Sequence, residues 1–93
     1  MLVGVLTIDL FLFEGGSLKA KRKVISSLKT HLRQTFNISI SEVDYHDKWQ
    51  RARLGISTVS NESRHIDETF SKIMEHLYRD SRFEVVGQEK SIY

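Results

Sequence analysis

Alternate positions of the first strand-like stretch carry Leu2, Gly4, Leu6, Ile8, Leu10 and Leu12, while Val3, Val5, Thr7, Asp9 and Phe11 take the other parity. A period of two marks a strand, so residues 1–13 are predicted as a strand with the first set buried. The second set is half apolar. That face is expected to be covered in part, with a second copy of the chain as the natural cover. "EGGS" at 14–17 breaks the alternation: Gly15 and Gly16 admit positive φ, and Ser17 is placed to cap a helix.

The period then changes. Leu18, Val24, Ile25, Leu28, Leu32 and Phe36 share one helical face, predicting a helix over 18–36. "NISISEV" (37–43) alternates again with Ile38 and Ile40 inward, "DYHDK" reads as a turn, and "WQRARLGISTV" (49–59) sets Ala52, Leu54 and Ile56 against Arg51, Arg53, Gly55 and Ser57. A second helix is predicted over 62–79, capped by Ser60 or Asn61, with Ile66, Phe70, Ile73, Met74 and Leu77 inward. A last strand follows over 82–90, bulged near Gly87. The order β-α-β-β-α-β predicts an α+β, ferredoxin-like split βαβ domain: a four-stranded antiparallel sheet with both helices on one face.

Composition narrows the class. The 93 residues suit one domain, and hydrophobic residues at 40% suit a packed core. Without cysteine there is no disulfide or thiolate metal site, and the expected home is the reducing cytoplasm. The apolar N-terminus lacks a basic leader and a cleavage site, is broken by Asp9 and is too short to span a bilayer, so no signal peptide or membrane segment is expected.

Charge changes the picture more. Net charge is +2, yet residues 17–36 hold six Lys or Arg and no acid, leaving the remainder at −4. On a helix, Lys19, Arg22, Lys23, Ser26, Lys29, Thr30 and Arg33 form one stripe. The second helix mixes its charges, with Glu68–Lys72 and Glu75–Arg79 expected as i,i+4 pairs. The unpaired stripe suits an external polyanion, the alternatives being a solubilising face or one paired with acids of a second subunit. Gly16, Ser17, Lys19 and Lys21 offer a further, small-anion site at the helix start, against the plainer reading of a turn and cap. Lys21 falls on the apolar side of the wheel, where a snorkelling side chain is the ordinary expectation and a pocket lysine the sharper one.

The segments "VGVL.IDL", "SLK.KR.V..SL...L...FN.S..EV", "D.WQ.A.LGI..V" and "FEVV" resemble the YlxP-like family, the domain of unknown function 503, over essentially the whole chain. The resemblance implies the same ferredoxin-like fold. Genes of that family lie among those for transcription elongation, translation initiation and ribosome maturation, which implies a role near RNA. The family has no assigned reaction, so the resemblance transfers no catalytic residues. A helix-start position often acidic in the family is Ala20 here, which leaves the stripe more basic.

Other chemistries of this fold lack their parts. An acylphosphatase needs an arginine where Glu14 stands, a metal carrier needs CxxC, and outward Arg51, Arg53, Gly55 and Ser57 supply no aromatic ring, so base stacking on that sheet face is not expected. Arg51 and Arg53 are expected to pair with Asp9 across the sheet or to add to a polyanion site. Glu42, Asp44, His46 and Asp47 read as turn residues before they read as a metal or proton-relay site. His31, His65 and His76 are expected to stand apart on helix surfaces, and Tyr45 and Trp49 to cap the core, the alternative being an anchor for a partner. No catalytic residue, metal or cofactor is predicted.

The expectation is a non-enzymatic cytoplasmic accessory factor that binds RNA, plausibly of the ribosome, through phosphates. Lys19, Arg22, Lys23, Lys29 and Arg33 would carry the charge, joined by Arg51 and Arg53, with no DNA sequence specificity and no membrane partner. The alternative is a homo-oligomeric or small-anion-sensing module, a homodimer through the open sheet face.

Overall fold

The computed structural model describes residues 1–13 and 16–93; the expectations resting on Glu14 and Gly15 lie outside them. Strand β1 spans Leu2–Leu12, helix α1 Leu18–Thr35, β2 Ser39–Asp44, β3 Arg51–Ser60, helix α2 Ser63–Arg79 and β4 Phe83–Ile92. The strands form one antiparallel sheet in the order β2-β3-β1-β4. This is the α+β, ferredoxin-like arrangement that the element order implied.

The period of two in β1 is realised from Val3 onward as an alternation of half-buried and buried residues, with Leu2 at the strand's start half-buried. Leu6, Ile8, Leu10 and Leu12 lie under the helices with Ala52, Leu54 and Ile56 of β3. Ile25, Leu28 and Leu32 of α1 and Ile66, Phe70, Ile73, Met74 and Leu77 of α2 complete the core. Gly4 marks where α2 presses closest: a Cβ there would collide with Ile66 and come within 3.0 Å of the Phe70 ring.

Local signals differ in detail from the sequence reading. Ser17 caps α1 as expected, accepting the Ala20 N–H at 3.1 Å, and Gly16 before it takes φ +61°. Neither Ser60 nor Asn61 caps α2: the cap position is Glu62, without a side-chain bond, because the Ser60 hydroxyl accepts the N–H of Glu62 itself (3.2 Å). On β4 the register shifts between Asp9, which faces Gly87, and Leu10, which faces Val85, so Val86 is the extra residue of a bulge. Among the described residues no helix is long and apolar enough to cross a membrane.

Candidate nucleic-acid interface

The basic stripe forms on α1 as the periodicity requires. Lys19, Arg22, Lys23 and Arg33 are exposed and Lys29 is half-buried. From Lys19 to Arg33 the stripe runs about 21 Å at about 1.5 Å per residue. Among the described residues none of these five cations forms an ion pair with a carboxylate.

On α2 only some of the charges are engaged, and not by the expected pairs. Glu68–Lys72 and Glu75–Arg79 do not close. Glu68 instead faces Arg64 one turn back, at 3.7 Å, and Asp67 takes Lys90 of β4 at 2.6 Å. Lys72 and Arg79 extend into solvent, where the rotamer freedom of a long side chain outweighs a weak surface pair.

Lys21 departs from the stripe. Its side chain is 2% exposed, and its Nζ donates to the carbonyl oxygens of Tyr45 (2.7 Å) and Arg51 (3.1 Å) while lying 2.8 Å from Glu42 Oε2. The carboxylate approach is oblique, a close ionic contact rather than an aligned hydrogen bond. Two carbonyl oxygens and a carboxylate enclose the buried ammonium, which leaves it no face open to an external anion. The small-anion site expected from Gly16, Ser17, Lys19 and Lys21 therefore loses Lys21. The pocket-lysine reading describes its position, with a structural role: it pins the first turn of α1 to both ends of the β2–β3 connection.

Arg53 is also held. It stands opposite Asp9 in the β1–β3 register. Nε donates to Asp9 Oδ1 at 2.6 Å and Nη2 to Oδ2 at 3.2 Å, and Nη1 reaches Asp44 Oδ2 at 3.3 Å. The Arg53 hydrogen bond holds the Asp9 carboxyl below its usual range against the opposing effect of burial, helped by the charges of Arg53 and Arg51. The Arg53 guanidinium is correspondingly raised, first by the same bond. Arg51 forms no such pair with a described carboxylate. Its guanidinium lies 5.1 Å from the Tyr45 ring centroid, as does that of Arg53, and its Nε is buried without a partner. The expectation for these two arginines thus divides: Arg53 is paired across the sheet, and Arg51 has no ion-pair partner among the described residues.

The hairpin acids disperse. Glu42 faces Lys21, Asp44 takes Arg53 and accepts the Tyr45 N–H (2.7 Å), and His46 contacts the Glu42 carbonyl (3.1 Å). Among the described residues no three metal-ligating side chains converge. Sequence reasoning missed two placements. His31 and His76, expected apart, meet between the helices at 3.4 Å. Tyr45 and Trp49, expected to cap the core, lie outside it: Tyr45 is half-buried against the arginines and Trp49 is 39% exposed.

Comparison with known proteins bears on fold and kinship. A structure described as protein YJCS superposes with a TM-score of 0.57 at 13% identity, covering 96% of each chain. A putative chlorite dismutase, TA0507, gives 0.57 at 13% identity over 100% of this chain and 44% of that one. SnoaB, a cofactor-independent oxygenase from Streptomyces nogalater, gives 0.52 at 9% identity over 97% and 90%. At these identities the likeness is one of fold alone. In sequence, the uncharacterized protein YlxP of Bacillus subtilis is 33% identical over 73 residues, 78% of this chain and 79% of that protein. The model of the protein family of unknown function DUF503 matches residues 3–90, and the chain belongs to that family.

Proposed function

We propose that this protein is a non-enzymatic accessory factor of the cytoplasm that binds structured RNA, of the ribosome in the first instance, through phosphates along α1. The observation that supports the reading is the solvent-facing row Lys19, Arg22, Lys23, Lys29 and Arg33, without a described carboxylate in ion-pair contact. Such a row repels itself by a few tenths of a kcal/mol per neighbouring pair, and a polyanion relieves that repulsion while releasing its own counterions. Phosphate contacts position a protein without reading bases, so sequence preference is weak. Anisotropy with a labelled ribosomal RNA helix tests this. Reversing charge at Arg22 and Lys29 together lowers affinity at least tenfold on this reading, and an unchanged affinity would refute it.

A second reading, self-association through the open sheet face, draws on Val43 and Val59, which are 52% and 55% exposed. Sedimentation without RNA separates the two: a tight dimer lacking RNA affinity favours the second.

A further inference from the structure

Four of the nine aromatic residues, Phe11, Phe13, Tyr45 and Trp49, lie at the end of the sheet where β1 ends and β3 begins. The Phe11 and Phe13 rings meet edge to face, centroids 5.9 Å apart. Phe11 stands opposite Arg51 in the β1–β3 register, and the Leu12 N–H donates to the Gln50 carbonyl at 2.7 Å. That bond brings the residue after β1, Phe13, and the residues just before β3, Trp49 among them, to the same end of the sheet. Tyr45 lies beneath the Arg51 guanidinium, and Glu84, opposite Phe11 on β4, bounds the patch. Phe13 is 51% exposed, and Trp49 too is open to solvent. This end of the sheet is also where the stripe begins, because Lys21 bonds the carbonyls of Tyr45 and Arg51 to the first turn of α1.

Exposed rings beside an arginine without a described carboxylate partner, at the end of the fold where the α1 cations begin, match one chemistry. Nucleobases present flat π-faces that stack on aromatic rings and on guanidinium planes, while their phosphates seek positive charge. We propose that Phe11, Phe13, Trp49 and Arg51 form a stacking platform for unpaired nucleotides of the RNA whose phosphates lie along α1. The proposal rests on the RNA-binding reading and deepens it by naming single-stranded segments adjoining a helix as the target. This departs from the expectation of no stacking on the sheet face, which follows from residues 51–57; the rings come instead from β1, the residue following it and the β2–β3 connection.

Trp49 is the only tryptophan, so its emission reports on the platform directly. Titration with a short single-stranded oligoribonucleotide quenches that emission, and a blunt-ended RNA duplex of equal phosphate number does not. Phe13→Ala, at an exposed position, weakens single-strand affinity about tenfold and leaves duplex affinity unchanged. Equal binding of both RNAs, without quenching and without an effect of Phe13→Ala, overturns the platform while the stripe reading stands. Binding of neither RNA overturns both. A concentration-dependent dimer whose formation alone shifts Trp49 emission assigns the patch to a second copy and overturns the proposal.

Discussion

The ammonium of Lys21, on the first turn of α1, lies 2.7 Å from the carbonyl oxygen of Tyr45, twenty-four residues along the chain. Tyr45 has φ +64°, a conformation uncommon for a residue with a side chain, and it leads the chain out of β2. The lysine thus orders the connection that carries Tyr45 and Trp49 while leaving the stripe to its exposed neighbours. Replacing Lys21 by Met keeps the apolar stem and deletes the charge, so two carbonyls and Glu42 lose their shared donor. Stability falls by about 3 kcal/mol or more, a large part of the total for a domain of this size. Urea titration of the variant measures it, and a loss below about 1 kcal/mol would show that the contact is incidental.

Asp9 and Arg53 carry the acid response of the sheet. The Asp9 pKa is lowered in the folded protein, so its contribution is present above the unfolded value of about 4. It is lost as pH falls through the lower folded value. Asp80, held down in the same way by its hydrogen bond from Arg82, acts in the same direction. Asp9→Asn is expected to be less stable than the parent at neutral pH and to approach it as pH falls below the lowered Asp9 value. Denaturant midpoints at neutral and acid pH check this; an equal deficit at both would mean that packing, not charge, is what the substitution removes.

Gly4 is required by its neighbours. A methyl group there meets Ile66 and Phe70 of α2, both fully packed in the core. Gly4→Ala therefore lifts the helix from the sheet at a cost of about 1–3 kcal/mol. Thermal unfolding reads the loss, and an unchanged midpoint would show that α2 shifts freely.

Much of this was legible in the chain. The alternation of β1 and the apolar faces of α1 and α2 state the architecture because each element buries one side, and the Asp9–Arg53 pair follows once β1 and β3 are set side by side. What the sequence hid were meetings set by distant packing. Lys21 sits on the apolar wheel with no local sign that two carbonyls and Glu42 await it. His31 and His76 are forty-five residues apart and touch only because the helices lie side by side. The aromatic end was half visible: Phe11 and Phe13 share a parity, but Trp49 comes to the same end only because β3 begins where β1 ends. The Ser60–Asn61 signal failed because a hydroxyl before a helix can close a local turn as readily as a cap.

The exposed cations of α1 meeting phosphates are the central claim, and the dependence of RNA affinity on salt measures that most directly. With about four phosphates neutralised, log K is expected to fall with log salt at a slope of about −3 to −4, and charge reversal at Arg22 and Lys29 flattens it. A parent slope near zero, or one that the reversal leaves unchanged, would contradict it.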